Sequence, residues 1–334
     1  MSPASLLVLG FKGPDLPSDV ARLLSQGLAG VCLFADNIVG AEQVRSLCAE
    51  IRTAAAPLPP PLIAVDQEGG KVQRLRKLGS NYPPAREVGA GGPLRSREIG
   101  LAIGKELASL GFNLDFAPVL DVDSNPANPI IADRAFGSDP DTVTACGLAF
   151  AEGLAEAGIL PCGKHFPGHG DASLDSHKAL PVIEADRATL WRRELLPFQA
   201  AVSAGVPMLM SAHCVYPALD PYLPATLSRA VLMSLLRQDL GFQGVVVSDE
   251  LHMQAIRDRF SPEETLLLGV EAGLDLFLYC GDVEDNLAFC ETFERLVRDR
   301  QVPLDAVEQS AARVMGLRRK LQEGPQGAKG LAPV

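Results

Sequence analysis

Short apolar runs alternate with longer amphipathic stretches along almost the whole chain, and this alternation limits the possible folds more than any other feature. The runs fall at residues 6–9, 31–34, 62–65, 113–119, 159–162, 207–211, 245–248 and 274–278. Continuous apolar runs bounded by turn residues are the pattern of strands buried on both faces of a parallel sheet. Between them, residues 19–28, 41–53, 94–110, 141–157, 187–204, 228–239, 262–272 and 284–298 carry helical periodicity, and a last helix is expected over 304–321. Ser261 before Pro262, and Ser228 with Gly241 at the far end, supply helix start and stop signals. Strand then helix, repeated, predicts an α/β fold, and eight such units are the number that closes a single (β/α)8 TIM-type barrel. An open doubly wound sheet can use as many strands, but here polar residues follow strand after strand at the carboxyl end, where barrel sites lie. No repeat or linker divides the chain. The expectation is one barrel domain over 1–322, followed by a Gly-, Pro- and Ala-rich tail over 323–334 that is expected to be disordered.

Composition fits a large buried core, with 47% hydrophobic residues in a chain of 334. The formal charge of −11 argues against nucleic acid or an anionic membrane as partner and suits a neutral or weakly charged small molecule. Seven cysteines, at 32, 48, 146, 162, 214, 280 and 290, form no C-x-x-C pair and lie largely in apolar runs, which fits free thiols in a reducing compartment. The amino terminus has no charged leader region, and no apolar run reaches the length of about 18–20 residues that crosses a bilayer. A cytoplasmic protein, without a membrane partner, is expected.

Polar chemistry concentrates in Gly163-Lys164-His165-Phe166-Pro167-Gly168-His169-Gly170-Asp171 and the following Asp175-Ser176-His177, which together hold three of the five histidines. Glycines and proline exclude helix here, so 164–177 is expected to be a loop leaving the carboxyl end of the strand at 159–162. Lys164 permits a Schiff base if its pKa is depressed in an apolar pocket, but His165 and Asp171 make the surroundings polar. His165, His169, Asp171 and His177 permit a metal cluster if three or four of them converge with support from a second layer of hydrogen bonds. In a flexible loop Asp175 can accept a hydrogen bond from His177, which would orient the imidazole and stabilise its charged form.

Other loops carry further candidates. Asp66, where an apolar run stops before Gln67-Glu68-Gly69-Gly70, can accept hydrogen bonds from a ligand or pair with Arg74. Asp121, Asp123 and Asn125 lack the glycine and glutamate of a calcium-binding EF-hand loop, and turn chemistry is expected for most of them. The buried run 244–248 ends in adjacent carboxylates, Asp249 and Glu250, which strand alternation should send to opposite sides. His213 and His252 lie just past strand ends as site or structural histidines, and Trp191 is expected to pack a helix.

The ordered set Val65-Asp66-Gln67-Glu68-Gly69-Gly70-Lys71-Val72-Gln73-Arg74, Asp133-Arg134-Ala135-Phe136, Lys164-His165-Phe166-Pro167-Gly168-His169-Gly170, Asp175-Ser176-His177 and Ser248-Asp249-Glu250-Leu251-His252-Met253 resembles family 3 of the glycoside hydrolases. Within it, the chain resembles the bacterial β-N-acetylhexosaminidases of the NagZ type. The resemblance implies Asp249 as covalent nucleophile, and His177 as general acid/base held by Asp175 in place of the usual second carboxylate. It also implies Asp66, Arg74, Arg134, Lys164 and His165 as sugar-binding residues, with no cofactor and no metal. Where the family text reads SDD or SDA, this chain has Glu250 in the third place.

The implied activity is release of terminal β-linked N-acetylglucosamine with retention, acting on peptidoglycan fragments (muropeptides) during cell-wall recycling, by a monomer. Alternatives are a family 3 β-glucosidase, a phosphorylase that transfers the sugar to phosphate, a substrate-assisted hexosaminidase using Asp249-Glu250, and a non-catalytic sugar-binding protein on the same fold.

Overall fold

The structure, a computed structural model, describes residues 2–176 and 180–322. Eight parallel strands form one sheet in chain order: β1 Leu7–Gly10, β2 Gly30–Cys32, β3 Leu62–Val65, β4 Leu114–Asp115, β5 Leu160–Phe166, β6 Met208–Ser211, β7 Val245–Ser248 and β8 Phe277–Tyr279. β8 pairs with β1, with Leu7 opposite Phe277, so the sheet curls round on itself. Between β7 and β8 the ladder is thin, a single bridge of Val247 to Leu276. There the Ser248 hydroxyl accepts the Leu278 N–H at 2.9 Å, standing in for a ladder carbonyl. The sheet is the barrel that eight alternating units predicted.

Helices follow the strands as α1 Ser18–Ser25, α2 Ala41–Ala55, α3 Gly92–Leu110, α4 Pro140–Glu156, α5 Leu196–Ser203, α6 Ala230–Asp239, α7 Pro262–Ala272 and α8 Val283–Arg298, with α9 Leu304–Lys320 after them. α7 begins as the sequence predicts, with Ser261 and Glu264 in a reciprocal capping box and Pro262 in the first turn. The strand residues are buried throughout and, with the inward faces of the helices, form one continuous apolar core. Among the described residues no helix is long and apolar enough to cross a membrane.

Several boundaries differ from expectation. The run 113–119 keeps only Leu114–Asp115 as strand, because Pro118 has no N–H to give the ladder. The expected helix 187–204 is two pieces, Arg187–Arg192 and α5, separated where Arg193 leaves helical geometry at φ −130° and ψ −74°. α6 starts at Ala230 rather than Ser228 and is wound as a π-helix. The difference that matters most is in β5. It continues to Phe166, so Lys164 and His165 are strand residues rather than loop residues, and the break falls at Pro167-Gly168. Both the Lys164–His165 and the Phe166–Pro167 peptide bonds are cis. The register against β6 shifts between Lys164 and Phe166, interrupting the alternation of sides. The loop beyond packs tightly, since a Cβ at Gly170 would stand 1.6 Å from the Val122 carbonyl oxygen.

Candidate active site

The carboxyl ends of the strands open into a cavity of about 460 Å³, within the usual range of about 300–1,000 Å³ for small-molecule sites. Asp66, Arg74, Arg134, Lys164, His165 and Asp249 all line it, so six of the eight residues singled out from the sequence converge on one space. Asp175 is half-buried and its neighbour Ser176 lines the cavity. His177 lies outside the described residues, as does the tail 323–334.

One wall is a network of opposite charges. The Lys164 ammonium, 2% exposed, stands 2.8 Å from Asp66 Oδ1 and 2.7 Å from Glu68 Oε1. Arg134 grips Glu68 with a two-pronged contact, Nε and Nη2 each 2.8 Å from a carboxylate oxygen. Arg74 reaches Asp66 Oδ2 at 3.3 Å while its guanidinium lies over the Phe34 ring. Burial alone would raise the carboxylate pKa values, but Arg134 and Lys164 hold Glu68 well below the ordinary range, and Lys164 and Arg74 hold Asp66 down. Burial disfavours the Lys164 charge, yet Asp66 and Glu68 outweigh it and push its pKa up. A charged lysine is no nucleophile, which disposes of the Schiff-base alternative. Glu68 is the residue that sequence reading passed over. The signal was its spacing of two from Asp66 in an extended segment, which puts both side chains on one side.

A second group fixes the imidazoles. Asp121 is fully buried and accepts His165 Nδ1–H at 2.7 Å through Oδ2, while its Oδ1 takes the backbone N–H of His165 at 3.1 Å and of His169 at 2.7 Å. Asp121 is therefore an anchor for the β5 end, more than the turn residue expected. His169 is 3.2 Å from Ser176 Oγ, and burial together with His165 lowers its pKa to about 4. Asp171 pairs with Arg193 at 2.6 Å. The described members of the alternative metal cluster thus turn to separate protein partners. His213, fully buried, sits 2.8 Å from Thr226 Oγ1 and donates to the Glu250 carbonyl at 3.0 Å, holding the turn after β7. His252 stacks edge-on against Tyr279, and Trp191 packs on the core from a helix.

Asp249 and Glu250 form the third part. β7 ends at Ser248, so strand alternation no longer applies and both carboxylates line the cavity, unlike the expectation that they diverge. Their environments differ. Burial raises the Asp249 pKa, but His165, His213, the Glu250 N–H at 2.8 Å and Lys164 overcome it and hold it at about 2. Burial dominates at Glu250 and, with Asp249 beside it, lifts its pKa to about 7. Carboxylates pushed apart in this way have different roles.

Residues 15–317 match the glycosyl hydrolase family 3 N terminal domain. A β-hexosaminidase of Thiobacillus denitrificans is 42% identical over 287 residues, covering 83% of this chain and 79% of that protein. β-Hexosaminidase A of Pseudoalteromonas piscicida is 37% identical over 345 residues, 95% of this chain, which spans only 57% of that relative's length. Among solved structures, a family 3 β-N-acetylglucosaminidase from Paenibacillus sp. superposes with a TM-score of 0.90 at 36% identity, over 96% of this chain and 62% of that one. A β-N-acetylhexosaminidase from Beutenbergia cavernae gives 0.86 at 30% identity, over 95% of this chain and 97% of that one. The family match over residues 15–317, with a relative 42% identical over 83% of this chain, shows that the chain belongs to glycoside hydrolase family 3.

Proposed function

We propose that the chain is a retaining exo-β-N-acetylglucosaminidase that works through a covalent glycosyl-enzyme. One observation carries the reading. Asp249, with its pKa held at about 2, is an ionised carboxylate at the cavity wall, facing a set of groups suited to sugar hydroxyls. In the first step an Asp249 oxygen bonds to the anomeric carbon as the glycosidic bond breaks, and the departing oxygen takes a proton from His177. In the second step His177 removes a proton from water, which attacks the anomeric carbon and frees Asp249. Asp175 orients His177. Asp66, Arg74, Arg134, Lys164 and His165 hold the hydroxyls of one terminal sugar.

The substrate we assign is a peptidoglycan fragment with N-acetylglucosamine β-linked to anhydro-N-acetylmuramic acid, cleaved by a monomer in the cytoplasm. All seven cysteines are free, in keeping with a reducing compartment. The relatives' names, β-hexosaminidase and β-N-acetylglucosaminidase, support the sugar. The test is a panel of nitrophenyl glycosides with a fluorosugar inactivator. The β-N-acetylglucosaminide should be cleaved far faster than the β-glucoside, and the label should sit on Asp249. Label on Glu250, or potent inhibition by an acetamide-derived thiazoline without any adduct, points instead to the substrate-assisted route.

A further inference from the structure

The sugar-hydroxyl partners account for only part of the cavity lining. Asp66, Glu68, Arg134, Lys164 and His165 are polar lining residues, and Met253, Leu278 and Cys280 line the cavity at the ends of β7 and β8. Glu250 lines it too, and the backbone ties Met253 and Leu278 to the Glu250 turn. The Met253 N–H donates to the Glu250 carbonyl at 3.2 Å, and the Leu251 N–H donates to the Leu278 carbonyl at 2.9 Å. The Glu250 carboxyl is itself split in function. Its Oε1 accepts two backbone N–H groups, from His252 at 2.8 Å and from Cys280 at 2.9 Å. An oxygen that accepts two N–H bonds is the carbonyl-type oxygen of the acid, so the proton belongs on Oε2, the oxygen left to the cavity.

We propose that Glu250 is a specificity residue whose Oε2–H donates a hydrogen bond to the carbonyl oxygen of a 2-acetamido group, with the methyl of that group lying on Met253, Leu278 and Cys280. The proposal rests on the reading of the substrate as an N-acetylhexosamine and supplies the acetamide recognition which that reading leaves unassigned. An amide carbonyl only accepts, so an ionised carboxylate would repel it and a neutral acid binds it. The charged and titratable groups around Glu250 are Asp249, His213, His252, Arg257, Tyr279 and Cys280. Burial and the Asp249 charge keep the proton on, with the Glu250 pKa at about 7, so the donor is present below neutrality and lost above it.

The experiment measures inhibition constants of N-acetylglucosamine and of glucose from about pH 5.5 to about pH 8.5, in the wild type and in Glu250→Gln. Glucose shares every titration of the hydroxyl-binding groups and of the acid/base, so the ratio of the two constants isolates the acetamide. In the wild type the glucose constant divided by the N-acetylglucosamine constant should fall by about tenfold per pH unit above neutrality. In Glu250→Gln it should stay level, because the side-chain oxygen still accepts both N–H groups and the amide nitrogen donates without titrating. Wild-type glucose binding in the variant shows that it is folded. A level ratio in the wild type, or an unchanged slope in Glu250→Gln, overturns the role of Glu250. If the wild type near pH 6 binds glucose as tightly as N-acetylglucosamine, the N-acetylhexosamine reading fails and takes this proposal with it.

Discussion

His165 Nδ1 lies 2.7 Å from Asp121 Oδ2, a buried contact that fixes which ring nitrogen faces inward and which faces the cavity. With the Nδ1 proton committed to Asp121, Nε2 is the atom offered to the cavity. The same carboxylate holds the backbone N–H groups of His165 and His169, so one side chain sets the position of the ring and of the loop beyond it.

Asp121→Asn keeps an oxygen for the two backbone N–H groups but turns an N–H₂ donor toward His165. The ring must then carry its proton on Nε2, the opposite tautomer. We expect kcat/KM to fall by roughly tenfold or more, about 1.4 kcal/mol of lost hydrogen bonding, chiefly through KM. Burial raises the Asp121 pKa, but His165 and the neighbouring groups outweigh it and lower it. A depressed folded pKa means the stabilisation is present above the unfolded value of about 3.9 and is lost as pH falls through the folded one. The stability gap between wild type and variant, measured by urea unfolding, should therefore shrink on acidification below about pH 4. A gap constant down to strongly acidic pH would remove Asp121 from this role.

Glu68 pairs with Arg134 and Lys164 together, and all three are largely buried. Removing the carboxylate strips buried Arg134 of its partner and leaves Lys164 with Asp66 alone. Glu68→Ala should lose about 3–5 kcal/mol of stability, the cost of breaking a buried ion pair. Glu68→Gln should fall between it and the wild type. Thermal melts of the three proteins give the order, and equal melting temperatures would contradict it.

Arg134→Lys preserves the charge and destroys the two-pronged grip on Glu68, since an ammonium has no planar fork. We expect KM to rise by about tenfold, with kcat less affected, because the guanidinium orients the sugar-binding wall rather than entering the bond-breaking step. A variant with wild-type KM would show that the fork is dispensable.

For His177→Ala the decisive comparison is between leaving groups. General acid catalysis contributes about 10²–10⁴-fold where the departing oxygen needs a proton. Substrates with poor leaving groups should lose activity on that scale, nitrophenyl substrates should lose less in the first step, and azide should speed release of the glycosyl-enzyme. Equal losses with both leaving-group classes, and no effect of azide, would place the proton donor elsewhere.

The sequence alone carried the barrel, because eight buried strands alternating with helices leave a chain few ways to hide its apolar runs. It also carried Asp66, Lys164, His165 and Asp249, which stand at or just past strand ends where side chains converge in this architecture, and, through the family resemblance, Arg74 and Arg134. It did not carry how those residues pair. Glu68 became visible only when Lys164 and Arg134, from distant stretches, met on its carboxylate, and Asp121 only when β5 ran past its expected end to bring His165 against it. Nor did it separate Asp249 from Glu250. Their pKa values are set by neighbours far away in the chain, with His165 and His213 stabilising one charge while burial beside Asp249 suppresses the other. Local pattern reports which side chains reach the site. Charge state depends on burial and on through-space partners, and those exist only once the chain has closed.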